Sequence, residues 1–302
     1  MQTLTKKKKI WLMVGICVLV LCIGFVAALL LWRSGVFTPQ AETTEPAPST
    51  KVTETTAEPT TEATEEITEP TEPPLPPNRF TPDDFAYVGD YLTCITEDCE
   101  LGIDVSKYQG YIDWQQVKDA GFTFVMIRVG YRGYGKAGTM RPDEMANSHY
   151  WGAKEAGLQI GAYFFSQATN EEEAREEARY ALELTKNWEL DFPIVYDWEF
   201  ISDEARTANV DADTLTACCI AFCQEISDAG KKPMIYVSPW FGNLHLDQLI
   251  EYPQWIALYK DEMTYKYQFD MWQYTCTGSV PGVKGEVDIN IFFPYWEGEE
   301  WP

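Results

Sequence analysis

Hydrophobic and polar positions between residues 101 and 293 fall into two alternating patterns. Short apolar runs of strand type are followed by segments in which apolar residues recur at helical spacing. Strands are predicted at residues 101–106, 122–131, 158–166, 193–200, 233–237, 254–259, 269–275 and 287–293. Helical segments follow the first five of these strands, at residues 114–120, 143–156, 171–187, 211–229 and 240–250.

This order of elements predicts a mostly parallel sheet with its helices on the outside. Eight strands is the number at which such a sheet closes on itself, so we expect an α/β fold of the irregular TIM-like type, a (β/α)5β3 barrel. A doubly wound open sheet is the alternative. No glycine-rich phosphate-binding loop follows any predicted strand, which removes the usual ligand of that fold.

The N-terminal part of the chain has a different pattern and divides into three segments. Residues 1–9 include Lys6 to Lys9, residues 10–32 carry no charge, and residues 33–80 are rich in threonine, glutamate and proline. The length of the uncharged run predicts a transmembrane anchor, with a cleaved signal peptide as the alternative. The lysines before it predict a cytoplasmic tail and an external C-terminus. Residues 33–80 are predicted to be a disordered stalk, and residues 81–302 to be one domain.

The charge of the chain limits its partners. The formal net charge is -24, which makes a nucleic acid or another polyanion an unlikely target for binding through bulk charge. Aromatic residues make up 14% of the chain. An uncharged sugar strand held against aromatic faces is easier to reconcile with this composition.

Two acids in the predicted strand 193–200 are the strongest candidates for chemistry. Side chains alternate along a strand, so Val195, Asp197 and Glu199 share one face, and apolar residues fill the other. Crowded carboxylates that are shielded from water raise each other's pKa, which leaves a protonated donor beside an ionised partner. The alternative is a strand end whose acids point into water.

Barrel closure would bring further acids to the same cleft. Asp104 ends the first strand and Asp288 lies in the last, and functional sites of such barrels lie at the C-terminal ends of the strands. We expect Arg128 to pair with one of these acids. Four aromatic residues are candidates for the cleft walls, with core packing as the alternative for each: Tyr131, Tyr163, Trp272 and Tyr274.

The cysteines have two interpretations. Cys94 and Cys99 flank a short loop, and outside the cell we expect a disulfide between them. Cys218, Cys219 and Cys223 lie in a predicted helix. A metal site there lacks a nearby histidine, so we expect these thiols to pack as small apolar side chains and expect no metal.

Six ordered motifs carry a resemblance to a known family. They are Gly102 to Gly110 with Ile112 to Trp114, Phe124 to Tyr131, Gly161 to Phe165, Tyr196 to Phe200, Trp272 to Tyr274, and Gly285 to Asn290. In this order they resemble the family 25 glycoside hydrolases, lysozymes of the N,O-diacetylmuramidase type. The resemblance implies a (β/α)5β3 barrel that cleaves the β-1,4 bond between N-acetylmuramic acid and N-acetylglucosamine in bacterial peptidoglycan. Two residues depart from the family pattern: Cys276, and Phe164 at a position where a histidine is common.

The resemblance also implies roles for the acids. Glu199 falls on the general acid, Asp197 on its partner carboxylate, and Asp104 and Asp288 on the supporting acids. We expect Asp197 to orient the 2-acetamido group of the substrate, with retention as the outcome and inversion left open. A wall-binding module without activity, a tethered structural protein and a chitin-directed glycosidase are the alternatives. We expect a monomer without cofactor, anchored in the bacterial cell membrane by one span, with the catalytic domain outside.

Overall fold

The computed structural model describes residues 75–238, 244–296 and 299–300. All of them lie in one compact unit of the chain, Thr68–Pro302. The predicted cytoplasmic tail and span, with the stalk up to residue 74, lie outside the described residues. No helix among the described residues is long and apolar enough to cross a membrane.

The described elements run in the order that the sequence predicts, with additions. The strands are β1 (Phe85–Val88), β2 (Tyr91–Cys94), β3 (Glu100–Val105), β4 (Phe124–Arg132), β5 (Met140–Pro142), β6 (Gln159–Ser166), β7 (Ile194–Trp198), β8 (Pro233–Val237), β9 (Gln254–Ala257), β10 (Met271–Gly278), β11 (Val287–Phe292), β12 (Tyr295–Trp296) and β13 (Glu299–Glu300). The helices are α1 (Trp114–Asp119), α2 (Ala146–Glu155), α3 (Glu171–Thr185) and α4 (Ala212–Asp228).

Eight of these strands form a closed barrel, as predicted. The hydrogen-bonded order is β3-β4-β6-β7-β8-β9-β10-β11, and β11 pairs back to β3. Pairings from β3 through β10 are parallel, whereas β11 is antiparallel to both of its neighbours. Closure excludes the open doubly wound sheet.

The main difference from the predicted helices concerns the fifth one, between β8 and β9. Between β8 and β9 the described residues contain only a single 3-10 turn, Leu246–Gln248, and residues 240–243 of the predicted helix lie outside the described residues. The other four predicted helices are present. In α3, for example, Asn170 accepts a hydrogen bond from the Glu173 amide, which caps the helix as predicted.

Alternation along the strands divides the core into two layers. One apolar cluster fills the inside of the barrel and includes Met126, Val195 and Trp255. The other lies between the strands and the outer elements. Glycines make room inside the barrel: a Cβ on Gly102 would lie 2.3 Å from the ring of Phe124, and one on Gly161 would lie 2.4 Å from the sulfur of Met126. The inside is therefore a packed floor beneath the mouth of the barrel.

A hairpin of β1 and β2, which the sequence analysis did not predict, covers the barrel where helices are lacking. Its inward side chains Phe85 and Leu92 are buried, and the Phe85 ring meets Trp272 edge-on at 5.0 Å. Each of its strands has only four residues, too few to show a clear period. The hairpin takes the place of a helix beside β10.

The domain begins earlier than predicted. Residues 75–80 were assigned to the stalk, yet Phe80 is 8% exposed and its ring lies 4.3 Å from that of Phe293. Asn78 donates through its backbone amide to the Lys266 carbonyl at 2.9 Å. The Phe80 ring and the hydrogen bonds of Asn78 attach this segment to the domain.

The structure does not contain the predicted disulfide between Cys94 and Cys99. Both thiols are free. Cys94 is buried at the end of β2, with its sulfur 3.6 Å from the Thr96 hydroxyl, whereas the Cys99 sulfur lies 3.1 Å from the Thr93 hydroxyl. Each sulfur thus contacts the hydroxyl of a nearby threonine.

Candidate active site

A cleft of about 580 Å³ opens at the C-terminal ends of the barrel strands. The four predicted acids all line it: Asp104 from β3, Asp197 from β7, Glu199 just beyond β7, and Asp288 from β11. Asp104 and Asp288 are direct partners across the antiparallel pair of β3 and β11. The prediction that barrel closure gathers these acids is therefore confirmed in geometry.

The strand β7 positions two of the acids. Val195 lies in the inner cluster, and Asp197, two residues further, reaches the cleft from the same face. Asp197 is 5% exposed, and its Oδ1 has no hydrogen-bond partner. The predicted strand was two residues too long at this end, so Glu199 stands on the segment that follows it and is partly exposed.

A buried glutamine holds the backbone at Glu199. Gln167 follows β6, and its Nε2 donates to the carbonyl oxygens of Ser166 at 2.8 Å and Glu199 at 3.0 Å. Its Oε1 accepts from the Thr207 hydroxyl at 2.8 Å. Because carbonyl oxygens only accept, these bonds fix the orientation of the amide. The segment that carries Glu199 is thereby joined to two neighbouring loops.

Asp104 is held by a network of amides. Its Oδ2 accepts from Gln273 Nε2 at 2.7 Å and from Asn290 Nδ2 at 2.9 Å. The Trp255 indole donates to Asn290 Oδ1 at 2.8 Å, and since an indole N–H cannot accept, Asn290 must present its NH2 group to Asp104. Asp104 is therefore an acceptor in this network, which favours its ionised form.

Burial raises the pKa of all four acids. For Asp104 burial dominates and the two amide donors oppose it, giving a pKa of about 6. Burial and the Asp104 charge raise the pKa of Asp288 to about 9. The pKa of Asp197 is raised by burial and then by Glu199, and that of Glu199 by burial and then by Asp104. Burial thus favours the protonated forms of these acids, and at Asp104 the two amide donors oppose this effect.

Arg128 lies in the cleft but does not pair with any of these four acids, contrary to the prediction. Its guanidinium binds Asp143, with Nε at 2.9 Å and a second nitrogen at 2.8 Å from Oδ2. Asp143 lies at the start of the segment leading into α2 and is buried beside Arg128. The guanidinium also lies over the rings of Tyr108 and Tyr131, at 5.2 Å and 5.5 Å. Its charge still lowers the pKa of Asp197 and Glu199 through space.

Two of the four predicted wall aromatics line the cleft and two do not. Tyr131 and Tyr163 line it. Trp272 is fully buried in the outer cluster, and Tyr274, 4% exposed, belongs to the same cluster. The alternation on β10 has the opposite phase to the one assumed, because Gln273 between them faces the cleft. Their placement on the cleft wall was wrong.

Sequence reasoning missed several groups that line the cleft. They are Lys107, Tyr108, Arg132, Gly133, Tyr134, Phe165, Ile201, Tyr236, Trp255, Tyr259 and Gln273. Gln273 had a usable signal: a polar residue between two aromatics in a strand indicates that the aromatics face the outer layer. Tyr236 and Tyr259 lie beside Gln273 in the structure. Both hydroxyls donate to its Oε1, at 2.7 Å and 2.9 Å.

The helical cysteines pack as apolar side chains. Cys218, Cys219 and Cys223 are all buried in the outer cluster. Burial raises the pKa of the Cys218 thiol to about 12. Among the described residues, no group of three or more potential ligands is arranged to hold a metal ion.

Carboxyls with raised pKa values at the mouth of a closed barrel, with tyrosines around them, are typical of a hydrolase of the glycosidase type. The sequence model described as "Glycosyl hydrolases family 25" matches residues 103–283. The chain belongs to this family and is a glycoside hydrolase, as the six motifs indicated.

Several relatives extend the comparison. The chain is 31% identical over 207 residues to the uncharacterized protein YegX of Escherichia coli, covering 63% of this chain and 68% of YegX. It is 29% identical over 203 residues to Lysozyme M1 of Streptomyces globisporus, covering 63% and 67%. The structure of the autolysin LytC from Streptococcus pneumoniae matches with 27% identity and a TM-score of 0.57, over 66% of this chain and 47% of LytC. The chain thus spans about half of the LytC structure, which has also been solved with a synthetic peptidoglycan ligand.

Proposed function

We propose that the protein is a peptidoglycan muramidase that hydrolyses the β-1,4 bond between N-acetylmuramic acid and N-acetylglucosamine. The observation that carries this proposal is the cluster of four acids in one cleft of a family 25 barrel, each with a raised pKa. The similarity to Lysozyme M1 and to LytC, which has been solved with a peptidoglycan ligand, supports the choice of polymer.

In this proposal Glu199 is the general acid. It is the most accessible of the raised acids on the β7 side, and the Gln167 amide fixes its backbone. Burial raises the pKa of Glu199 and so favours its protonated form, and the proton passes to the glycosidic oxygen as the bond to the anomeric carbon breaks. The ionised Glu199 can then accept a proton from the water that completes hydrolysis.

Asp197 has a different role in the proposal. Adjacent acids from one strand end do not flank the bond from both sides, so we assign the attack on the anomeric carbon to the oxygen of the substrate's 2-acetamido group. Asp197 would orient that group through its unpartnered Oδ1. Water then opens the cyclic intermediate, and the product retains its configuration. Asp104, whose charge two amide donors stabilise, and Arg128 set the charge around this step.

Mass analysis of fragments released from purified peptidoglycan tests the proposal. We expect products with N-acetylmuramic acid at the new reducing end, and none from Glu199→Gln under the same conditions. Release of N-acetylglucosamine reducing ends, or equal activity of the variant, would contradict it. Chitin serves as the second substrate, because faster cleavage of chitin would identify the alternative chitin-directed enzyme. Binding to walls without any cleavage would identify a wall-binding module.

We also propose that the predicted span at residues 10–32 holds the enzyme at the outer face of the cell membrane. The proposal rests on the uncharged run and the lysines before it. An epitope is placed either at the C-terminus of the protein or before Ile10. Comparing the accessibility of the two epitopes on intact cells tests this orientation.

A further inference from the structure

A second concave surface lies beside the catalytic cleft. It has a volume of about 920 Å³ and is bounded by three parts of the chain: the tip of the β1–β2 hairpin, the segment 259–261 after β9, and the segment from Thr275 to Val283 at the end of β10. We call this surface the hairpin groove. Tyr259 lines both the groove and the cleft, so the two share a wall.

The hairpin wall of this groove is fixed to the barrel. The Tyr87 hydroxyl donates to Asp261 Oδ1 at 2.9 Å, and the Tyr91 hydroxyl donates to the Ser279 carbonyl at 3.3 Å. The hairpin lies outside residues 103–283, which match the family model. A preformed wall of this kind costs little ordering entropy when a ligand binds.

The opposite wall exposes a strand edge. β10 pairs with β9 only as far as Gln273, which is the partner of Ala257, yet β10 continues to Gly278. On the β9 side, residues 275–278 have no strand partner among the described residues, and they line the groove. The Thr277 amide already donates to the Thr275 hydroxyl at 3.1 Å, so this N–H is not among the groups that the edge offers. An edge of this kind offers hydrogen bonds to an extended peptide.

The charges of the groove favour a peptide over an uncharged sugar strand. Lys260 and Asp90 are exposed and line the groove, so it offers both signs of charge to a ligand with carboxylates and an amine. The exposed rings of Tyr87 and Tyr259 also line it, so the choice of a peptide rests on these charges and on the open edge of β10.

We propose that the hairpin groove binds the peptide stem of peptidoglycan while the sugars occupy the cleft. The inference rests on the proposed muramidase function. The stem is attached to the muramic acid ring, next to the bond that is cut, so a groove that shares Tyr259 with the cleft lies within its reach. Lys260 would pair with a stem carboxylate, and the edge of β10 would pair with the peptide backbone.

Calorimetric titration of the full-length protein with a free synthetic stem peptide tests binding without any need for cleavage. We expect Tyr87→Ala and Lys260→Ala each to weaken binding at least about fivefold, which corresponds to roughly 1 kcal/mol. Tyr111→Ala is the matched control, because Tyr111 is 87% exposed and lines neither cavity. Undetectable binding by the wild type, unchanged affinity in the groove variants, or an equal loss in the control would overturn the inference.

Kinetics on two wall substrates separates peptide from glycan as the occupant. For each groove variant we expect the ratio of kcat/KM on peptide-bearing glycan to that on peptide-free glycan to fall at least about fivefold, through KM. An equal fall on both substrates would assign the groove to sugars and overturn the inference. A protein that binds the stem peptide but cuts neither substrate would contradict the proposed function and support the groove.

Discussion

Gln273 donates a hydrogen bond of 2.7 Å to Asp104, and this bond helps to decide which acid of the cleft carries charge. The same Gln273 accepts hydrogen bonds from Tyr236 and Tyr259, so its amide cannot turn over without losing three partners. A second donor, Asn290, reaches the same oxygen of Asp104. Negative charge is therefore stabilised at Asp104, opposite Asp288 and across the mouth from Glu199.

This network predicts the acid limb of the pH profile. Asp104 has a pKa of about 6, and its charge is lost as pH falls through that value. Gln273→Met removes a donor that favours the charged form, so the pKa of Asp104 should rise further and the acid limb should move to higher pH. The measurement is kcat/KM on soluble peptidoglycan between about pH 4 and 9.

Gln115→Met is the control for this change, because Gln115 is an exposed residue of α1 whose amide contacts only Asp119. Its pH profile should match that of the wild type. An acid limb that stays in place in Gln273→Met would mean that another group titrates there.

Gln167 is expected to act as a positioning residue for Glu199. Gln167→Met keeps the length of the side chain but removes the donor to the Glu199 carbonyl. Because small displacements of a reacting group are costly, kcat should fall roughly 10- to 100-fold with little change in KM. A substrate whose leaving group needs no protonation should recover most of this loss, and the Gln115→Met control should show neither effect.

A loss in Gln167→Met that persists with the activated substrate would point to a general structural defect. Thermal unfolding separates the two outcomes, because a folded variant with nearly unchanged Tm but low kcat retains the positioning interpretation.

Asp197, in β7, and Glu199, just beyond it, are expected to respond differently to the same change. Glu199→Gln removes the proton donor and should lower turnover by roughly 10²- to 10⁴-fold, with sugar binding retained. Asp197→Asn can still hydrogen-bond an acetamido group through its amide, so it should keep more activity. A substrate with a leaving group that needs no protonation should restore cleavage in Glu199→Gln and not in Asp197→Asn.

Rescue of Asp197→Asn but not of Glu199→Gln would mean that Asp197 is the proton donor and Glu199 the residue that orients the acetamido group. Full activity in both variants would show that neither Asp197 nor Glu199 takes part in the reaction.

More of the fold than of the cleft walls could be predicted from the sequence. Long apolar runs and helical segments bounded by glycine identify barrel elements, since each has a clear period. The cleft position of Asp104, Asp197 and Asp288 could also be predicted, because acids at the ends of buried barrel strands face the mouth of the barrel. The phase of β10 was not determined, because Trp272 and Tyr274 suit a cleft and a core equally well by composition. The partner of Arg128 depends on a segment folding back from β5, which no local pattern shows.

The β1–β2 hairpin and the attachment of residues 75–80 depend on tertiary contacts. Four-residue strands lack a period, and the proline-rich stretch before Phe80 has the composition of a linker. The ring of Phe80, placed against Phe85 and Phe293, and the hydrogen bonds of Asn78 show that the domain starts before residue 81.

This packing predicts where the anchor and stalk can be removed. A protein of residues 75–302 should fold and cut peptidoglycan, whereas one of residues 81–302 loses Phe80 and both hydrogen bonds donated by Asn78. Removing a buried phenylalanine costs about 3–5 kcal/mol, which should lower the Tm of the shorter protein on the order of 10 °C. Phe80→Ala in the longer protein should reproduce most of that shift, because the ring supplies the apolar burial. Ile95→Ala, at a residue 55% exposed, should leave Tm within about 2 °C. Equal Tm values for the two truncated proteins, measured by calorimetry at one pH, would show that the domain is stable without residues 75–80.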